Sequence, residues 1–322
     1  MTSRHLIDPE LLPMVDARAP VELSLESLAD FRVWAQEMNS SCPLPEGAPV
    51  SVEDIIVPGP YDSPSVRLRV YRPASANRIH PAIFHIHGGG YVCGTPESMD
   101  FLHLEQAVDL ECVILSVAYR LPPETPHPGP IEDCYAALKW VYEHASELEI
   151  DSARIGLKGE SAGGGMAAAL ALLARDRGEV PLRFQHLIRP MLDDRTCSTA
   201  DPHPWAGEYM WTPAMNAFGW SCLLGAKPGS ADISLYAAPA RAPDLSGLPA
   251  TFISVGTLDL FLEENMEYAR RLTRAGVPVE LHVYPGVPHC SVLETSRAME
   301  ASRVAIAAGR NNREALRRVL HG

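Results

Sequence analysis

One stretch constrains this chain more than any other: Arg154-Ile-Gly-Leu-Lys-Gly-Glu-Ser-Ala-Gly-Gly-Gly-Met-Ala-Ala-Ala-Leu170. It reads as a short apolar strand, a turn made almost wholly of small residues, and then a helix. Ser161 occupies the apex of Gly159-Glu160-Ser161-Ala162-Gly163. A turn this tight strains its apex residue, and bulky neighbours two positions to either side would collide. The geometry pushes one hydroxyl out at the end of a sheet. The pattern acquires chemical meaning only if the rest of the chain supplies partners for that hydroxyl.

The flanking sequence supplies the sheet. Val50–Val57 and Val66–Arg72 have a period of two, and the alternation in the second predicts one wet face. Apolar strands are expected at Pro81–His87, Cys112–Ala118, Arg154–Lys158, Phe184–Ile188, Ala250–Val255 and Val279–Tyr284. Helical spacing falls between them, around Phe101–Val108, from Ile131 to Val141, over Ala167–Ala174 and from Glu263 to Ala275, and a C-terminal helix running to about Leu320 follows the last strand. Such alternation predicts one largely parallel sheet covered on both faces, hence an α/β fold and one domain spanning 1–322. Residues 1 to about 48 are expected to be helical and amphipathic, with Leu23, Leu25, Leu28, Phe31, Val33, Trp34 and Met38 at roughly helical spacing. The stretch from Asp193 to about Pro243 reads as irregular, with a helical patch near Trp211–Leu224.

Bulk properties exclude several functions. A formal charge of −13 over 322 residues argues against nucleic acid or an anionic membrane as the main partner. No apolar run is long enough to span a bilayer, and the first ten residues lack a signal-peptide core. Seven cysteines without paired spacing suit reduced thiols and a cytoplasmic location. Neither C-x-x-C nor H-E-x-x-H occurs, so no zinc motif is present and no metal is expected.

In open α/β sheets, ligands bind where strands end and loops begin. Four such ends carry chemistry. Ser161 is the first. His87-Gly88-Gly89-Gly90 follows a buried strand, where side-chain-free residues let backbone N–H groups approach a substrate oxygen. The Ala162 N–H, one residue past the serine, would complete an oxyanion hole with Gly88, Gly89 and Gly90. Asp259 follows the strand at Ala250–Val255, and His289 follows the last strand. Serine is a poor nucleophile at neutral pH, so a histidine must take its proton and an acid must hold that histidine's tautomer. The order Ser161, Asp259, His289 is the one this sheet type uses. His282 lies inside a strand, and His85 and His87 are read as structuring the glycine loop. Glu263 and Glu264 compete with Asp259 but fall at a helix start, where acids favour the dipole.

His87-Gly88-Gly89-Gly90-Tyr91, Tyr119-Arg-Leu-Pro-Pro-Glu124, Gly159-Glu-Ser-Ala-Gly-Gly164, Met191-Leu-Asp-Asp-Arg195, Asp259 and His289 resemble the hormone-sensitive-lipase group of α/β-hydrolases. The similarity runs from about 50 to 320 and is strongest to bacterial short-chain esterases, including heroin-esterase-like members. It implies an eight-stranded sheet and a helical cap built from about 1–48 and 196–225. It also implies a serine carboxylesterase acting on small acyl esters through an acyl-enzyme, with no cofactor and a possible homodimer. An amidase or acyltransferase on the same scaffold, or a non-catalytic ligand-binding homologue, stays open. Three residues depart from the group's pattern: Cys290 where glycine is usual, Lys158 where a small or apolar residue is usual, and Arg189 where an aromatic is usual. A buried unpaired lysine is strongly penalised, so Lys158 and Arg189 are expected to pair with Glu160, Asp193 or Asp194 rather than with an acidic substrate. Cys93 and Cys290 are read as small packing residues. Phe31, Trp34, Trp205, Trp211 and Trp220 are candidates to close an acyl pocket.

Overall fold

The computed structural model describes residues 2–18, 21–40, 47, 49–61, 63–74, 78–294 and 302–322. Eight strands form one sheet in the order β1-β2-β4-β3-β5-β6-β7-β8. They are β1 (Val50–Val57), β2 (Val66–Pro73), β3 (His80–Ile86), β4 (Val113–Ala118), β5 (Ile150–Glu160), β6 (Phe184–Ile188), β7 (Ala250–Gly256) and β8 (Val279–Tyr284). The β1–β2 and β2–β4 pairs are antiparallel and every other pair is parallel. The carboxyl ends of β3, β5, β6, β7 and β8 therefore emerge side by side along one edge.

The helices among the described residues are α1 (Leu12–Asp16), α2 (Leu28–Ser40), α3 (Asp100–Asp109), α4 (Gly129–Glu143), α5 (Ala162–Arg177), α6 (Pro213–Leu224), α7 (Leu262–Arg274) and α8 (Arg303–His321). Alternate strand residues face opposite layers. Ile83, Ile114 and Tyr71 pack with Leu104 and Ala107 of α3 and with Leu316 and Leu320 of α8. Phe84, Ile86, Leu115 and Val117 face the layer holding Ala137 and Leu138 of α4 and Leu170 and Leu172 of α5. Helix α5 is buried from Ala162 to Ala174; its glycines and alanines let it lie close on the sheet without a polar face. It ends at Gly178, whose left-handed φ of +68° caps it. No helix among the described residues is long and apolar enough to cross a membrane.

Two expectations are corrected. The amino-terminal region is not continuously helical. Residues 21–27 are irregular and α2 starts only at Leu28. The Ser24 and Ser27 hydroxyls accept from each other's backbone N–H at 3.1 and 3.0 Å, and Ser27 Oγ donates to Glu22 O at 3.0 Å. Such local bonds offer the backbone an alternative to the helical ladder. Met38 of the expected stripe lies outside the described side chains, as do residues 41–46. The second correction concerns β2, whose outer face is half-buried rather than wet. Arg67 pairs with Glu97, and Arg69 makes a two-pronged contact with Asp100 at 2.9 Å on both prongs. The segment leading into α3 covers that face with carboxylates.

The expected strand at Arg154–Lys158 also proves longer. β5 begins at Ile150, and its pairing with β3 shifts register between His80 and Ala82. Helix α2 is tied to the body by Arg32, which donates to Val92 O at 2.7 Å and Pro122 O at 2.8 Å and pairs with Glu124.

Candidate active site

Ser161 stands between β5 and α5 with φ +56° and ψ −121°, a conformation that costs a non-glycine residue energy. Two long-range backbone bonds hold it there. Its N–H donates to Ile188 O at 2.9 Å, and its carbonyl accepts from Met191 N at 2.9 Å. The small flanking residues are needed for contact reasons. A Cβ on Gly159 would lie 2.3 Å from Gly163 O, and one on Gly163 would lie 2.1 Å from Ile86 O. The turn is thus wedged between the end of β3 and its own helix.

The Ser161 hydroxyl lies 2.9 Å from Nε2 of His289, whose Nδ1 lies 2.8 Å from Oδ2 of Asp259. A buried carboxylate can only accept, so Nδ1 carries the proton of the neutral ring and Nε2 presents its lone pair to the serine. The loops after β7 and β8 are stitched together: Thr257 N donates to Tyr284 O, Leu258 N to Val287 O, and Gly286 N to Thr257 Oγ1. These bonds fix the acid against the imidazole. Asp259 also accepts from Phe261 N at 2.9 Å, and the Phe261 ring meets His289 edge-on at 5.0 Å. Burial lowers the His289 pKa, opposed by Asp259, while Arg189 and Arg18 depress it further.

Beside Ser161, the glycine loop folds back on itself. Val92 N and Cys93 N both donate to Gly89 O at 3.0 Å. Gly90 has φ +60°, and a Cβ there would sit 2.2 Å from the Trp211 ring. Gly89, at φ +118°, is likewise in territory that favours glycine. Gly88 lies against Glu160, since its Cβ would approach Glu160 O to 2.8 Å. Among the described residues, the N–H groups of Gly89, Gly90 and Ala162 donate to no protein acceptor. The structure therefore brings Ser161, Asp259, His289 and the glycine loop to one strand-end edge. Trp211 closes over the same place, its ring 6.2 Å from that of His289. Of the other aromatics expected to close an acyl pocket, Trp220 is fully buried against Tyr91, and Trp205 packs on His5.

Beneath the serine lies a charged core that the expected Lys158–Glu160 pairing anticipated. Both side chains are buried and form an ion pair. The second oxygen of Glu160 accepts from His85 Nε2 at 2.7 Å, and His85 Nδ1 accepts from the Ser116 hydroxyl at 2.8 Å. Burial alone would raise the Glu160 pKa, but Lys158 and His85 together hold it well below the ordinary carboxylate range. Burial keeps His85 neutral by lowering its pKa. His85 thus has a structural role, as does His87, whose ring stacks on Tyr119 at 4.3 Å. His282 pairs with Glu280 inside the sheet.

The expectation for Arg189 is corrected. Its buried guanidinium pairs with Glu294, while Asp193 pairs with Arg195 and Asp194 with Arg241. The Met191 N–H is pinned to Ser161, which carries the two aspartates onward, away from the β6 end where Arg189 sits. Glu294 follows His289 by five residues, and nothing in its spacing marks it. Glu264 falls in the first turn of α7, as expected, and is buried there, accepting from Leu192 N at 2.6 Å and from the Thr196 hydroxyl; burial raises its pKa well above the usual range. A polar cleft of about 380 Å³ is lined by Asp193, Arg195, Arg241, Glu264 and Arg271 among others. It holds none of the residues gathered around Ser161, and its arginines are already bonded to Asp193, Asp194 and the carbonyls of Ala240 and Ala242.

A model of the α/β-hydrolase fold family matches residues 83–293. The chain belongs to that family. The match spans the glycine loop, the serine turn, Asp259 and His289, and the membership agrees with the resemblance to its hormone-sensitive-lipase group. The chain is 32% identical to esterase LipI of Mycobacterium tuberculosis, covering 93% of this chain and 95% of the relative. It is 33% identical to carboxylesterase NlhH of the same organism over 99% and 98% of the two chains. Among solved structures, a bacterial heroin esterase superposes with a TM-score of 0.91 at 38% identity over both full chains.

Two predictions follow from the buried charges and thiols. Lys158→Met leaves Glu160 without its cation and should cost about 3–5 kcal/mol of stability, read from urea denaturation; an unchanged midpoint would contradict the internal pairing. Cys93 and Cys290 are buried, and burial pushes their thiols up to about 12 and about 11. Iodoacetamide at pH 8 should leave activity intact, and rapid inactivation with mass-confirmed labelling of either would refute the packing role.

Proposed function

We propose that this chain hydrolyses small, short-chain acyl esters through an acyl-enzyme formed on Ser161. That it is a carboxylic ester hydrolase follows from its family and from esterase relatives spanning its whole length. The observation that carries the residue assignment is the unbroken relay from Ser161 Oγ through His289 to Asp259, at 2.9 and 2.8 Å. An intact relay also argues against a silent ligand-binding homologue.

The chemistry follows from the geometry. Ser161 Oγ attacks the ester carbonyl as His289 Nε2 takes its proton, and Asp259 holds the imidazolium that results. The carbonyl oxygen becomes an oxyanion that the free N–H groups of Gly89, Gly90 and Ala162 can bind. Gly88 supports the loop by its close approach to Glu160. Collapse expels the alcohol, which receives the proton from His289, and water repeats the sequence to release the acid. Loss of one oxyanion donor typically costs on the order of 10²–10³ in rate.

The cap is assigned to the segments within about 1–48 and 196–225. Helix α2 reaches the glycine loop through Arg32 and Val92 O, and Trp211 lies across Gly90. An indole this near the serine favours short acyl groups. Five free cysteines among the described residues suit a cytoplasmic setting.

Turnover of p-nitrophenyl acetate should fall at least a thousandfold in Ser161→Ala, and a covalent serine probe should label wild type alone. Rates along an acetate-to-decanoate series should drop beyond about six carbons, with matched anilides much slower; equal rates on anilides would point to an amidase. Only neutral His289 can act as base, so activity is lost as pH falls through its pKa. Burial places that pKa below the ordinary 6.5; an acid limb in kcat/KM above 6.5 would count against the assignment.

A further inference from the structure

Two buried ion pairs lie near the serine and take no part in the steps above. Lys158–Glu160 touches no reacting atom. Arg189–Glu294 stands beside one: Arg189 Nε lies 3.4 Å from His289 Nε2, the nitrogen that also faces Ser161 Oγ at 2.9 Å. Arg189 is held there by the fold. It follows β6 at φ +41°, its N–H donates to Ser254 O at 2.6 Å, and its side chain is buried.

A guanidinium in that position creates a problem. Catalysis requires His289 to become a cation in the transition state, and a neighbouring cation opposes this. The charged groups facing His289 are Asp259 on Nδ1, Arg189 on Nε2 and Arg18 from the amino-terminal segment. Those facing Glu294 are Arg189, Glu160 and Lys158. The Lys158 and Glu160 charges offset each other, which leaves Glu294 as the countercharge to Arg189. Burial raises the Glu294 pKa to about 7 although Arg189 opposes the rise, so its charge depends on the guanidinium beside it.

Building on the assignment of His289 as the base, we infer that Arg189 is a positioning residue for His289 and that Glu294 is the countercharge that makes this position tolerable. The Arg189 Nε–H, at 3.4 Å, is a longer second donor that shares the Nε2 lone pair with the Ser161 hydroxyl only while the imidazole is neutral, and so steadies the ring before attack. When Nε2 takes the serine proton, Arg189 keeps its own proton and is held by Glu294 alone. No bond to Arg189 forms or breaks.

The test is the pH dependence of kcat/KM on p-nitrophenyl acetate for wild type, Arg189→Met, Glu294→Gln and the double variant. Glu294→Gln leaves the guanidinium uncompensated, so the acid limb should move to lower pH by about one unit, with the plateau falling about tenfold. Arg189→Met removes the cation beside Nε2, and the buried Glu294 then takes up a proton, so the limb should move up by about half a unit. The double variant should match Arg189→Met. A purely structural role would lower the plateaus and leave the limbs in place; that result, or shifts of the same sign in the two single variants, overturns the inference. Should Arg189→Met fail to fold, Arg189→Lys keeps the charge and must keep the limb, and a limb displaced upward by about half a unit is equally fatal. Ser161→Ala is assayed in parallel. If it is inactive while the limbs stay fixed, the serine mechanism stands and only this inference fails.

Discussion

Two backbone hydrogen bonds, Ser161 N–H to Ile188 O and Met191 N–H to Ser161 O, hold Ser161 in its unfavourable conformation. Most other features of the site are consequences of that clamp. It draws the end of β6 against the end of β5 and fixes where Arg189 leaves the sheet. It also turns the Glu160 side chain inward, where a carboxylate survives only with partners. Strain of this kind costs on the order of 1–3 kcal/mol and persists only when the surroundings over-determine it. Here the surroundings are a buried helix of glycine and alanine on one side and the β3 end on the other.

The parallel half of the sheet explains why distant residues meet. Because β3, β5, β6, β7 and β8 run the same way, the loops that follow them open on one edge. The glycine loop, the Ser161 turn, Asp259 and His289 each occupy a different loop. None needs to be near another in sequence, and the cross-links between the β7 and β8 loops turn that rough proximity into a hydrogen-bonded relay.

Strand positions were legible in the sequence because apolar runs bounded by glycine and proline have few alternatives. The ends of β1, β6 and β8 fall where the pattern put them. The meeting of Ser161, Asp259 and His289 was legible because each lies in a loop that follows such a run. The amino-terminal stretch was misread because its apolar spacing is helical while the Ser24 and Ser27 hydroxyls compete locally for the backbone, an effect outside periodicity. The partners of Arg189 and Glu264 were not legible at all. They are set by where loops 191–196 and 289–294 travel in space, and acids near in sequence proved to be engaged elsewhere. Lys158 was legible because its partner lies two residues away on the same strand face.

The Lys158–Glu160–His85 cluster bears on how such a chain can change over generations. Glu160 without the lysine is destabilised but keeps the His85 Nε2 hydrogen bond on one oxygen and can shed its charge by protonation. A lysine at 158 facing an apolar 160 would bury an ammonium with nothing to receive it. The two substitutions are therefore ordered: the acid must arrive before the base and must leave after it. A chain that carries Lys158 therefore tolerates replacement of Glu160 less readily than one with a small residue at 158. The residue next to the nucleophile is thus held in place by stability as well as by any part it plays in catalysis.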